Sequence, residues 1–374
     1  MRSSDPAKRG MPHPARHYSR RDFLVVCLGF LGASCASSTT HTHPVAPLST
    51  PTAPPRTPQT MATPAASYHG TYSSQGGQIW GVSWSPDGTR IASASANGTV
   101  QVWDPNSGHT LLTYTGHSRR VQTVAWSPDG RHLASAGDDK SVQVWDATTG
   151  TLRVTYHGHT NDVLGVAWSP DSRRISSGSD DGTAQVWDAV TGKTQLIYKG
   201  HTSFVKHVPW SPDGRRIASA SDDGTVQIWD STTGRTLVTL GISGVAARWT
   251  VAWSPDGRRV ASAFGNDLSQ NGFETAGVWD ATTGKALLAY NGHGPSTSHV
   301  ADGVLGLAWS RDGTRIASGG ADATAQIWDA STGRTLAVEK RDRLPVWDVA
   351  WSPSGKRLAV ASWDGTVIIW QPPV

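Results

Sequence analysis

A Trp-Ser pair recurs through this chain with a spacing of 42 residues where the repeat is undisturbed, and few folds survive that constraint. The pairs begin at Trp84, Trp126, Trp168, Trp210, Trp253, Trp309 and Trp351, and five of them continue as Pro-Asp. A second tryptophan follows in every unit, at Trp103, Trp145, Trp187, Trp229, Trp279, Trp328 and Trp370, and the first six precede Asp. Self-similarity at this period means that one supersecondary unit is repeated and that neighbouring units complete each other's core. Val, Ile, Thr and Trp stand in short runs between Gly, Pro, Asp and Ser clusters, a pattern of strands and turns.

Each unit reads as four strands. In the third, Asp162–Trp168 forms the first strand and Ser169-Pro170-Asp171-Ser172 a turn, because proline presets φ while Asp and Ser bond their own backbone. Arg174–Ser179 is the second strand, Thr183–Asp188 the third and Gln195–Tyr198 the fourth. Gly-His, a gap, Ser-Asp-Asp-Gly-Thr and Trp-Asp at this spacing resemble the WD-repeat propeller family, over about residues 66–374. The resemblance implies an all-β fold, a seven-bladed β-propeller of four-stranded antiparallel blades around a central channel. The seventh unit ends just after its third strand. Counting back 12 residues from Trp126, Trp168 and Trp210 lands on the fourth-strand tyrosines Tyr114, Tyr156 and Tyr198; the same count from Trp84 lands on Tyr72. An N-terminal strand around Tyr68–Tyr72 is therefore expected to close the last blade and hide its edge.

His117, His159, His201 and His293 each follow Gly, and Asp139, Asp181, Asp223 and Asp322 stand six residues before a third-strand tryptophan. With Ser135, Ser177, Ser219 and Ser318 and with Trp145, Trp187, Trp229 and Trp328 they match the hydrogen-bonded tetrads of the family. A hydrolytic triad occurs once in an enzyme, not four times, so these groups read as structural. Blade 1 has Gln75 and Asn97 in their place, blade 7 has Asp364 without a matching histidine, and blade 5 has neither. No Walker-type loop, zinc-spaced cluster or acid/base carboxylate pair appears, so neither a catalytic residue, a metal nor a cofactor is expected.

Subtracting the repeat leaves four tryptophans, Trp80, Trp249, Trp347 and Trp363. In the family, partners dock on the rim that carries the strand 4–1 and strand 2–3 loops, and all four tryptophans map there. So do Arg120, Phe204 and Lys206, and the residues before the tetrad aspartates, Asp138, Asp180 and Asp222. That rim reads as aromatic near blades 7, 1 and 5 and acidic across blades 2 to 4. Tryptophans that no repeat demands are common interface anchors, the plainer alternative being that they pack on neighbouring loops. Two insertions, within 264–277 and 294–303, fall on the same rim. The expected role is a protein- or peptide-binding scaffold, a monomer; ligand or glycan binding, or hydrolysis, in the central channel is the alternative, and a purely structural envelope component a third.

The N-terminus reads separately. Ser19-Arg20-Arg21-Asp22-Phe23-Leu24 followed by Val25–Leu31 resembles a bacterial twin-arginine export signal over residues 1–34, and the apolar run is too short to span a bilayer. Gly32-Ala33-Ser34-Cys35 resembles a lipobox, departing from it at Gly32, with Cys35 as the lipidated residue; Val26 makes Cys27 the poorer candidate. Residues 35–65, rich in Pro, Thr and Ser, read as a disordered tether. Residues 1–34 take six of the 33 basic and two of the 29 acidic residues, leaving 27 of each. The body thus has no basic excess for nucleic acid. An exported, membrane-anchored, extracytoplasmic protein is expected, touching the membrane only through that anchor.

Overall fold

The computed structural model describes residues 67–73, 77–241, 250–263, 276–297, 303–341 and 344–373. The expected signal, the lipidation at Cys35, the tether, Trp249, most of the first insertion and half of the second lie outside the described residues.

Seven four-stranded antiparallel sheets make up the described fold, with no helix among the described residues. The third blade runs Val163–Trp168, Arg174–Ser179, Ala184–Asp188 and Thr194–Tyr198, within a residue of the expected bounds. The first strands of successive blades pack on one another, that of the seventh returns to the first, and the ring closes. Blade 7 takes its outer strand from the N-terminal side: Ser67–Ser73 pairs antiparallel with Thr366–Gln371, Tyr72 opposite Val367. First, second and third strands are largely buried, whereas fourth strands face solvent.

The turn between first and second strands is self-bonded. In blade 3, Ser169 Oγ donates to Asp171 Oδ1 at 2.5 Å, and the amides of Arg173 and Arg174 donate to Asp171 Oδ1 and Ser169 Oγ at 3.1 and 2.9 Å. Side chains thereby do the work that a ladder cannot do at a strand end.

No blade has a core of its own. The cluster of Ala92, Val100 and Val102 from blade 1 is completed by Val121, Trp126, Leu133 and Trp145 from blade 2. Across each seam the residue six positions after the first-strand tryptophan lies on the next blade's tryptophan. Arg90 covers Trp126, Arg174 Trp210, Arg216 Trp253, Arg259 Trp309, Arg315 Trp351 and Arg357 Trp84, each guanidinium carbon 4.5–5.0 Å from the ring centre. At the seam of blades 2 and 3, His132 stacks on Trp168 instead. Several of these arginines also donate to the next turn, as Arg216 Nη2 does to Gly257 O at 2.7 Å. The outer strands add a second tie. Tyr114 stacks on Trp145 of the next blade at 4.4 Å and 5°, and its hydroxyl donates to Gln143 Oε1 at 2.6 Å.

Inner strands approach closely enough that side-chain size is limited. A Cβ on Gly306 would lie 2.8 Å from Asp348 Cα in the next blade. The corresponding side chain of blade 7, Asp348, is used as a clasp. Its Oδ2 accepts the Val82 amide of blade 1 at 2.9 Å and its Oδ1 the Val349 amide at 2.9 Å. Burial outweighs these two donors and raises the Asp348 pKa to about 7 from an ordinary 3.8.

Two outcomes follow from the seams. Arg216→Ala should lower the unfolding free energy by roughly 1–2 kcal/mol, through the lost cation–π contact and hydrogen bond. Exposed Arg215→Ala should change it by less than about 0.5 kcal/mol in urea titrations of both variants. Asp348 binds its proton more tightly folded than unfolded, so its contribution to stability is present below pH 4 and lost as pH rises through 7. Wild type should therefore lose stability relative to Asp348→Asn between pH 4 and 8; a pH-independent difference would contradict the half-buried clasp.

Candidate functional site

The rim that carries the 2–3 and 4–1 loops is organised by a β-bulge. In blades 1, 2, 3, 4, 6 and 7 the register of strands one and two slips after the first pair, as between Ile79/Ser95 and Gly81/Ala94. The extra residue is Trp80, Gln122, Leu164, Lys206, Leu305 or Trp347. A bulge re-aims a side chain at a sheet end, and here it turns Trp80, Gln122, Lys206 and Trp347 onto the rim, while Leu305 stays buried. A backbone bond then clamps the 2–3 loop to the start of the first strand: the amides of Ala96, Asp138, Asp180, Asp222, Ala321 and Trp363 donate to the carbonyls of Gln78, Arg120, Asp162, Phe204, Gly303 and Pro345 at 2.9–3.1 Å.

Bulge and loop residues of one blade therefore meet. Gln122 Nε2 donates to Asp138 Oδ1 at 2.7 Å, Lys206 Nζ pairs with Asp222 Oδ1 at 2.6 Å, and Trp347 stacks on Trp363 at 6.0 Å and 24°. Trp80 of blade 1 crosses the closing seam to Trp347, 4.3 Å between ring centres at 69°, and to Trp363, 6.2 Å at 87°. Arg120 lies over the other side of Trp80 at 4.8 Å and pairs through Nε with Asp138 Oδ2 at 3.3 Å. Beside Trp363 opens a cleft of about 480 Å³ lined by Gly77, Gln78, Ala96, Asn97, Asp364 and Gly365.

The structure thus brings together Trp80, Trp347 and Trp363 and joins them to Arg120 and Asp138. Each tryptophan is half-buried by the others, not fully exposed, because bulge and clamp press them into one stack. Trp80 and Trp363 enter the stack without an indole hydrogen bond, since Nε1 of each finds no acceptor. Phe204 is exposed, on the acidic side of the rim.

Asp180 differs from its two counterparts because its own blade offers Leu164 at the bulge. Burial, and then the Asp162 carboxylate, push its pKa up to about 6 against the opposing charge of Lys206. Lys206 is itself lowered by burial. The acidic sector is therefore partly neutralised from within, by Arg120 and Lys206, and carries one carboxyl that titrates in mild acid.

The tetrads form inside the blades. His117 Nδ1 meets Asp139 at 2.8 Å and Nε2 meets Ser135 at 2.8 Å, and Trp145 Nε1 donates to Ser135 Oγ at 3.1 Å. The same chain holds at His201, Asp223, Ser219 and Trp229 and at His293, Asp322, Ser318 and Trp328. In blade 3 it stops at Ser177, because Trp187 Nε1 has no partner and the ring is held by stacking on Tyr156. Asp139 is pulled to about 2, its His117 and Ser141 hydrogen bonds overcoming burial. The histidines are buried, which suits a strut and not a general base.

Blade 7 solves its missing histidine in a way that counting did not reveal. Arg341 Nη2 reaches Asp364 Oδ2 at 3.1 Å and Thr366 Oγ1 at 2.8 Å. Its position, ten residues before Trp351 and not nine, hid it. The bulge itself also escaped the sequence, because a two-residue alternation cannot show one extra residue. Among the described residues no group of three or more His, Cys, Asp or Glu could hold a metal ion.

Two family models match the chain. Residues 120–251 match the model described as WDR90, 4th beta-propeller. Residues 64–104, 284–329 and 335–371 match that described as WD domain, G-beta repeat. No curated protein matches the chain.

Blade 5 lacks the tetrad and carries Leu240, not tyrosine, on the strand that meets it. In hydrogen-exchange measurements the amides of Val251–Trp253 and Ala276–Asp280 should exchange faster than those of Val163–Trp168 and Ala184–Asp188. Equal protection would show that the tetrads do not set local stability.

Proposed function

We propose that this chain, whose repeats match WD-repeat propeller models, captures a protein or peptide segment on the bulged rim, since such propellers are generally protein-interaction scaffolds and typically not enzymes. The meeting of Trp80, Trp347 and Trp363 at the closing seam supports this reading most. Three tryptophans that no repeat requires come from two blades into one stack beside a cleft. Large aromatic surface at a rim, with polar groups around it, is the composition of an interface hot spot.

The partner that fits is a segment with an apolar or aromatic anchor for the stack and basic residues for Asp138, Asp180 and Asp222. Arg120 joins the two sectors, touching Trp80 and Asp138, and Phe204 lies beside Asp222 within the acidic one. The N-terminal residues lead us to place this platform outside the cytoplasm of a bacterium, held to the membrane by a lipidated Cys35 and the spacer that follows it. The test is a peptide library panned against the full-length protein. Peptides retained by wild type should carry Lys or Arg beside an aromatic residue and bind Trp347→Ala/Trp363→Ala at least about tenfold more weakly, a loss of about 1.4 kcal/mol. Asp180 is neutral below its pKa of about 6, so affinity should rise between pH 5 and 7, and less steeply in Asp180→Asn. Retention that ignores both substitutions would remove the rim from the function.

A further inference from the structure

The opposite face, made of the 1–2 and 3–4 turns, carries its own regular charge pattern. Six 1–2 turns hold an aspartate three residues after the tryptophan: Asp87, Asp129, Asp171, Asp213, Asp256 and Asp312. A second one follows the third-strand tryptophan in the same six blades: Asp104, Asp146, Asp188, Asp230, Asp280 and Asp329. Both are consumed locally. Ser169 donates to Asp171 and the Thr191 amide to Asp188, and Arg173 and Arg174 stand beside Asp171 and help to hold its pKa low against burial. Each basic residue on this face therefore has ionised carboxylates in its own blade.

Blade 7 breaks the pattern at both places and nowhere else. Ser354 replaces the first aspartate, so Ser352 Oγ meets Ser354 Oγ at 3.0 Å, and Gln371 replaces the second. The cations stay: Lys356 is exposed, and Arg357 is the seam arginine stacked 5.0 Å over Trp84. Here alone Arg357 Nη1 donates to a neighbouring side chain, Asn106 Oδ1, at 2.8 Å. A cleft of about 390 Å³ lies between the two blades, lined by Asn106, Ser354, Lys356, Arg357 and Gln371. Among the described residues its lining holds two positive charges, three neutral polar side chains and no carboxylate. Asp104 of blade 1, two residues before Asn106, is engaged by the Asn106 amide and Ser107 Oγ at 2.8 Å each.

We propose that this cleft is a binding site for a phosphate group. A guanidinium fixed by an aromatic face and an amide oxygen is pre-ordered, and a neighbouring ammonium with hydroxyl and amide donors completes an oxyanion site. The two replacements remove the very groups that would repel the ligand. A free phosphate compound and the headgroup of an anionic lipid share this chemistry. The backbone pairing of Ser67 with Gln371 puts the start of the closing strand beside this cleft.

The decisive variant restores the repeat. Ser354→Asp/Gln371→Asp puts back two residues that six blades accept, and Lys356→Glu inverts an exposed charge; neither touches the seam contact of Arg357 with Trp84. With the full-length protein, calorimetric titration of inorganic phosphate against chloride of equal ionic strength should show saturable binding to wild type. Both variants should bind at least tenfold more weakly while keeping the wild-type circular dichroism and thermal midpoint within a few degrees. Co-sedimentation with phosphatidylglycerol and phosphatidylcholine vesicles separates the sources: selective phosphatidylglycerol binding that both variants lose assigns a lipid headgroup, and phosphate binding without it assigns a soluble ligand. Equal phosphate affinity in wild type and the doubly restored variant, or no saturable binding to wild type, would overturn the site.

Discussion

The contact between blades is the interaction on which this molecule rests. A four-stranded sheet with an exposed outer strand buries too little to stand alone, and every apolar cluster here is shared by two neighbours. The tryptophan of each first strand is the centre of that sharing. It fills the seam with its ring, offers its face to an arginine or, once, a histidine, and in five seams donates Nε1 to a carbonyl of the preceding blade. Hydrophobic burial, a cation–π contact and a hydrogen bond therefore act on one side chain, which explains why the residue recurs without exception.

A ring held in this way frees both of its faces. Loops on one side and turns on the other close no core, so substitutions there change chemistry without opening a seam. The side with the loops uses this freedom through an extra residue at the head of the first strand, filled by Trp, Gln, Leu or Lys in different blades. The side with the turns uses it through omission, at Ser354 and Gln371. Both departures fall at blades 7 and 1, where the seam contacts themselves remain intact: Trp84 still donates to Ala350 O at 3.0 Å.

Periodicity made most of the scaffold legible. Strands, turns, blade number and the borrowed outer strand could all be read because each follows from a count between tryptophans. The three odd tryptophans were also traceable to one rim. Their mutual burial was not, since it depends on the bulge at Trp80 and Trp347 and on closure bringing distant positions side by side. Arg341 escaped because its link to Asp364 comes from a differently placed residue of another chemistry. The seam arginines were overlooked for a simpler reason. An arginine after a turn looks like ordinary surface charge until the next blade's ring is seen beneath it.

The borrowed strand has a temporal meaning as well as a spatial one. Ser67–Ser73 leaves the ribosome before any blade exists, yet its partner, Thr366–Gln371, appears only after the six intervening blades. Through the whole of synthesis the flank of blade 1 formed by Ile79, Val82 and Trp84 has nothing to lie against, since its mates Val367 and Ile369 are still to come. The growing ring is thus an arc with two sticky flanks, and the early half of the clasp must wait for the late one.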